Sequence, residues 1–221
     1  MNTLEDRYSQ LRQRITNAAK RLNKPEPTLL AVSKKHSSAA IRELHQLGQR
    51  DFGESYWQEA EAKLNELSDL NIVWHFIGPL QSNKTRPIAE HFAWVHSVDR
   101  EKIARRLSEQ RPDHLPDLKI CLQVNIDREQ TKAGVLPEHA LALAKQVTAL
   151  PKLQLAGLMC IPAKTDPANA FQRMAGLQAE LKQAGLTADT LSMGMSDDLE
   201  LAIAEGSTML RIGTALFGER E

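Results

Sequence analysis

The chain has 221 residues, with 28 Lys and Arg against 28 Asp and Glu, so its formal net charge is zero. That length can bury a sizeable core in one domain. The balance of charge, with no basic excess and no long block of one sign, argues against nucleic acid as a partner, while a local cationic pocket for a small anion remains compatible with it.

Leu4, Tyr8, Leu11, Ile15, Ala18 and Leu22 recur at helical spacing with charges between them, which predicts an amphipathic N-terminal helix ended by Pro25 and Pro27. This segment lacks the apolar middle of a secretory signal, and Glu5 and Asp6 argue against a transit peptide. A repeated unit follows: a short apolar strand, a turn, an amphipathic helix. Strands are expected at 28–33, 51–53, 72–77, 93–98, 119–124, 153–159, 190–193 and 209–212. Between them, Ser37 or Ser38 can cap a helix with Ile41, Leu44 and Leu47 on one face, closed by Gly48. Asp99 can cap the helix of Ile103 and Leu107, and Pro137 suits the first turn of the helix around Leu141 and Ala144. Asp166 and Pro167 open a helix with Phe171, Met174, Leu177 and Leu181 inward and Gly185 at its end, and Ser196 can cap a short helix of Leu199, Ala202 and Ile203.

Strands alternating with helices imply an α/β protein with a parallel sheet, closed or doubly wound. Eight such units favour a single (β/α)8 TIM barrel over residues 1–221, with the N-terminal helix as an extra element. Few residues follow the eighth strand, so the last helix of the ring is expected to be short or missing and the N-terminal helix to cover the gap. No apolar run approaches the ~20 residues that a membrane-spanning helix needs. Cys121 and Cys160 sit in apolar runs and read as buried free thiols, which suits a reducing cytoplasm.

In a barrel, functional groups gather past the C-terminal ends of the strands. This rule places on one rim Ser33, Lys34 and Lys35; Gly53, Glu54 and Ser55; the segment 78–84; Ser192, Met193, Gly194, Met195 and Ser196; and Arg211, Ile212, Gly213 and Thr214. The turns after the last two strands carry glycines that admit a close anion, with Ser196 and Thr214 as hydroxyl donors; phosphate binding and plain helix capping both fit them. A lysine at the end of the first strand can face the mouth, and partial burial favours the neutral amine that imine formation needs. Strand alternation does not choose between Lys34 and Lys35. Arg211 lies in an apolar run and needs an acceptor, a structural carboxylate being the usual one. Glu54 can serve as acid, base or structural partner. Lys84 and Lys132 read as solvated rim lysines. No HExxH, CxxC, GxxxxGK[ST] or GxSxG motif occurs, so a metal site, a phosphate loop and a serine-hydrolase elbow are not expected.

The runs LLAVSK at 29–34, FGES at 52–55, WHFIGPLQSNK at 74–84, GLMCIP at 157–162, SMGMSDD at 192–198 and GSTMLRIGTALFG at 206–218 together resemble the pyridoxal phosphate homeostasis proteins. That family is similar to the barrel domain of alanine racemase. The resemblance spans essentially the whole chain. It implies that pyridoxal 5′-phosphate (PLP) is the cofactor and that Lys34 is its Schiff-base lysine. It also implies that Ser196 with neighbouring Met195, Gly213 and Thr214 hold the phosphate, and that Arg211 faces the pyridine nitrogen. A cation there disfavours protonation of the ring nitrogen and weakens the ring as an electron sink. One departure stands out: the family usually has FGEN, and here Ser55 replaces the asparagine, with a shorter side chain and one donor instead of two.

Two functions follow from the resemblance. One is a carrier that holds, buffers and hands on PLP, without catalysis, with transient contacts to apo PLP-dependent enzymes. The other is an amino-acid racemase. Racemases of this fold draw a second base, a tyrosine, from an additional β domain; here the tyrosines are Tyr8 and Tyr56, so the carrier is the expectation. A site built within one chain, with polar outer helices, leads to a monomer as the expected state.

Overall fold

The computed structural model describes residues 3–218. Thr3 caps α1 (Leu4–Arg21) through a reciprocal capping box with Asp6, which satisfies two otherwise orphaned backbone donors. The apolar stripe of α1 buries Leu11, Ile15, Ala18 and Ala19. Eight strands follow: β1 (Thr28–Val32), β2 (Asp51–Glu54), β3 (Val73–Phe76), β4 (Trp94–Val98), β5 (Leu118–Gln123), β6 (Leu153–Met159), β7 (Thr190–Ser192) and β8 (Met209–Ile212). All pair in parallel in sequence order, and β8 returns to β1, so the sheet closes into a barrel. The fold is the (β/α)8 barrel that the alternation of elements implied.

The ring helices are α2 (Ser38–Gln46), α3 (Trp57–Glu66), α4 (Thr85–His91), α5 (Glu101–Gln110), α6 (Pro137–Thr148), α7 (Pro167–Gln183), α8 (Leu199–Ala204) and α9 (Thr214–Phe217). Each longer helix turns one apolar face onto the barrel; α7, for example, buries Phe171, Met174, Leu177 and Leu181. Ser37 caps α2, and Asp166 caps α7 ahead of Pro167, as their residue types suggest. Two other caps differ from expectation. Arg100, not Asp99, occupies the N-cap of α5 and makes no side-chain cap bond, while Asp99 pairs with Arg100 at 2.5 Å. Asp198, not Ser196, occupies the N-cap of α8.

The short last helix is present as α9, and α1 covers it. Arg7 Nε donates to the carbonyl of Leu216 at 2.8 Å and Arg7 Nη2 to that of Phe217 at 3.2 Å, tying the carbonyl end of α9 to α1. Cys121 on β5 and Cys160 just past β6 are both buried and free. Among the described residues, no helix is long and apolar enough to cross a membrane.

Candidate functional site

β1 ends at Val32, and the chain turns through 33–36 before α2. Strand alternation stops there, because Lys35 adopts φ 65°, a left-handed conformation. Lys34 is half-buried and Lys35 is exposed, so the turn withdraws Lys34 from solvent and presents Lys35 to it.

A buried ionic cluster holds this turn from behind. Lys63 Nζ of α3 donates to the Ser33 carbonyl at 2.8 Å, to Glu54 Oε1 at 2.8 Å and to Glu59 Oε1 at 2.6 Å. Ser33 Oγ donates to Glu54 Oε1 at 2.6 Å, and the Lys35 backbone N–H donates to Glu59 Oε1. Burial pushes the Glu54 carboxyl above the usual carboxylate range, against the pull of Lys63 and Ser33. Its other oxygen, Oε2, has no hydrogen-bond partner among the described residues. Glu54 therefore has the contacts of a structural partner. Sequence reasoning missed Lys63; the only signal was its (i, i+4) spacing from Glu59.

Arg211 lies on β8, where Leu30 of β1 is its register partner. Its guanidinium is buried, and among the described residues it hydrogen-bonds to no carboxylate. Instead Nη1 donates to the Ser192 carbonyl and, at 3.0 Å, to Ser192 Oγ, and Nη2 donates to the Cys160 carbonyl at 2.7 Å. Neutral acceptors suffice to hydrogen-bond the charge, and burial lowers the guanidinium pKa below its ordinary value. Only the two terminal nitrogens are used in this way; the Nε–H and one Nη2 N–H have no acceptor among the described residues.

Past β7 and β8 two turns meet. Ser196 Oγ accepts from the Ala215 N–H at 3.3 Å, which joins the loop after β7 to the first turn of α9. Gly194 permits the β7 turn: its φ is +95°, and a Cβ there would lie 2.5 Å from Ala202 Cβ. The Met195 N–H is spent on Asp198 Oδ1 at 2.6 Å, and its side chain is exposed. The backbone N–H groups of Ser196, Gly213 and Thr214 have no acceptor among the described residues. These turns stand beside the Lys34 turn, because His36 stacks on Phe217 of α9 with ring centroids 4.3 Å apart.

Ser55 follows β2, on the other flank of β1. It is buried, its hydroxyl has no hydrogen bond among the described residues, and a Cβ at Gly78 would lie 2.0 Å from its carbonyl oxygen. Tyr56 next to it is exposed at the N-cap of α3. Lys132 lies on the rim, hydrogen-bonded to the Pro162 carbonyl at 3.1 Å. At one end of the barrel the structure thus gathers an amine, a buried guanidinium with N–H groups to spare, and backbone and hydroxyl donors. That donor-rich set suits a small phosphorylated carbonyl compound.

The alanine racemase N-terminal domain family matches residues 7–221. The chain is 56% identical to the pyridoxal phosphate homeostasis protein of Pseudomonas aeruginosa over 224 residues, covering 100% of this chain and 97% of that protein. It is 48% identical to the protein of the same name from Escherichia coli K12 over 230 residues, covering 100% and 98%. Among solved structures, PipY of Synechococcus elongatus PCC7942 with PLP bound aligns with a TM-score of 0.86 at 40% identity, covering 98% of this chain and 100% of that one. D-threonine aldolase from Filomicrobium marinum, at 20% identity and a TM-score of 0.75, shares the fold. The chain belongs to the pyridoxal phosphate homeostasis protein family, within the wider group built on the alanine racemase N-terminal domain.

Proposed function

We propose that this chain binds pyridoxal 5′-phosphate, covalently through Lys34, and serves PLP homeostasis by buffering or delivering the cofactor without catalysing a reaction of its own. The observation that carries the reading is the meeting of the half-buried Lys34 turn with the two turns after β7 and β8 on one rim. When bound, PLP supplies an aldehyde carbon that condenses with a primary amine with loss of water.

The chain's own residues have separate roles in this reading. Lys34 provides the amine; the Glu54–Lys63 pair fixes Ser33 before it, and Glu59, also bonded to Lys63, holds the Lys35 N–H after it. The backbone N–H groups of Ser196, Gly213 and Thr214, with the hydroxyls of Ser196 and Thr214, bind the phosphate. Met195 contributes its side chain, since its N–H is already bonded. Arg211 faces the pyridine nitrogen, donates to it and disfavours its protonation. Ser55 would border the ring from β2, with one hydroxyl and a shorter reach than the asparagine usual in the family. A neutral ring nitrogen and an exposed Tyr56 favour holding the cofactor over racemisation. The same reading takes residues 1–221 as one cytoplasmic domain, monomeric because every proposed contact comes from one chain, with apo PLP-dependent enzymes as transient recipients.

The test is transfer of PLP from the loaded protein to an apo-enzyme, timed against spontaneous release. Transfer faster than release supports delivery, equal rates leave buffering alone, and failure to retain PLP overturns the reading. Rapid Lys34-dependent exchange of the α-hydrogen of an amino acid in deuterated water would establish catalysis instead.

A further inference from the structure

The interior of a TIM barrel is normally packed with layers of branched apolar side chains. Here a file of polar groups runs through it. Asp51 Oδ1, at the start of β2, lies 3.0 Å from His75 Nε2; His75 Nδ1 lies 2.9 Å from His96 Nε2; His96 Nδ1 lies 2.9 Å from Ser192 Oγ; and Ser192 Oγ lies 3.0 Å from Arg211 Nη1. His75, His96 and Ser192 are fully buried, while the Asp51 side chain keeps 27% of its exposure. The file begins at the end of the barrel opposite the candidate site and finishes on Arg211.

Donor and acceptor counting gives the file a direction. A guanidinium only donates, so Ser192 Oγ accepts from Arg211. The serine hydrogen then needs an acceptor, and His96 Nδ1 is the one in reach. His96 therefore carries its hydrogen on Nε2 and donates to His75 Nδ1, and His75 carries its hydrogen on Nε2 and donates to Asp51. The reverse direction needs one more proton, on Asp51 or on both nitrogens of His75, and strands the serine hydrogen in a buried place. The surroundings oppose that proton. Burial is the main cause holding both imidazoles below the ordinary histidine range; Lys119 adds to it at His75, against the pull of Asp51, and His75 and Arg211 add to it at His96. Trp94 stacks on His75 at 5.3 Å, with Lys119 Nζ 4.9 Å above the indole.

We infer that His75, His96 and Ser192 are positioning residues for Arg211, forming a one-way hydrogen-bond chain, anchored on Asp51 at the far end of the barrel, that holds the guanidinium in the orientation the cofactor ring meets. This inference rests on the reading that Arg211 faces that ring. The chain itself exists without the cofactor and is tested without it.

The measurement is nitrogen-15 NMR of the full chain, free of PLP. The expected result is Nε2–H tautomers for both His75 and His96 and separate, slowly exchanging Nη signals for Arg211. An Nδ1–H tautomer at either histidine, in the unsubstituted protein, overturns the direction. In Asp51→Ala, which lies outside the site, the His96 tautomer population shifts and the Arg211 Nη signals merge through faster rotation; unchanged signals overturn the coupling. Ser192→Ala should give the same merging and covers the case in which Asp51→Ala does not fold. In the PLP-loaded protein, release from Asp51→Ala should be about 2- to 10-fold faster, the equivalent of one net hydrogen bond. Release at the wild-type rate, with Arg211 loosened, would mean that Arg211 does not meet the ring. That result contradicts the functional reading and leaves the chain intact.

Discussion

Lys63 and Glu54 form an ion pair at 2.8 Å inside the protein, directly behind the turn that carries Lys34. Desolvating two charges is costly, and removing one partner strands the other. Lys63→Met is therefore expected to cost about 3–5 kcal/mol in denaturant unfolding. Replacing both, as Glu54→Leu with Lys63→Met, should recover much of that loss while leaving the Ser33 carbonyl without its Nζ donor. The double variant should thus be folded yet load Lys34 less completely. A single variant as stable as wild type would show that the pair does not hold the turn.

Stability should fall with acid before the carboxylates titrate. His75 and His96 are held below their ordinary pKa in the folded chain, and both take up protons near the ordinary histidine value of 6.5 when unfolded. Between those values the unfolded state binds more protons, so the stabilisation is present above the unfolded pKa and is lost as pH falls towards the folded values. Asp51 and Lys119 face His75, and Arg211 and Ser192 face His96. Glu54 acts with the opposite sign: its folded pKa is raised, so its protonation adds stability as pH falls through that value. Melting temperature should decline from about pH 7 to about pH 5.5, and His96→Gln should flatten the decline. A flat profile in the wild type would contradict the buried neutral histidines.

Cys121 and Cys160 should be inert in the native protein. Burial pushes each thiol up to about 12, so neither presents a thiolate near neutral pH. Alkylation monitored by mass spectrometry should follow the rate of unfolding, with both thiols labelled fully in denaturant. Rapid labelling of either in native buffer would show that its strand end opens to solvent.

Two glycines should respond in opposite directions to alanine. At Gly194 the φ is +95°, and a Cβ would lie 2.5 Å from Ala202 Cβ and 2.7 Å from Leu210 Cδ2. Gly194→Ala should cost about 2 kcal/mol or more through overpacking and left-handed strain. At Gly176, within α7, a Cβ meets nothing within 4 Å, so Gly176→Ala should add about 0.5–1 kcal/mol. Equal effects at the two sites, read by thermal unfolding, would contradict the packing of the β7 turn.

Much of the fold was legible because period and punctuation agree. Apolar runs such as Leu153–Met159 alternate with stripes such as Phe171, Met174, Leu177 and Leu181, and that alternation has few closed solutions. Even the short β7 (Thr190–Ser192) was visible from its place in the repeat. The rim was legible by rule, since strand ends point to it. Contacts between distant strands were not. His75, His96, Ser192 and Arg211 stand on four strands with no motif spacing, and only closure brings them into one file. The same cause explains why Arg211 meets carbonyls where a carboxylate was expected. Lys34 and Lys35 were not separable by alternation, because the strand ends at Val32 and Lys35 is itself left-handed.

The central claim is the covalent attachment of PLP to Lys34. Borohydride reduction of the PLP-loaded protein, followed by peptide mass spectrometry, tests it directly. The account predicts a phosphopyridoxyl group on Lys34 and its loss in Lys34→Ala. An adduct on Lys35 or another lysine in the wild type, or one retained at equal stoichiometry in Lys34→Ala, would contradict it.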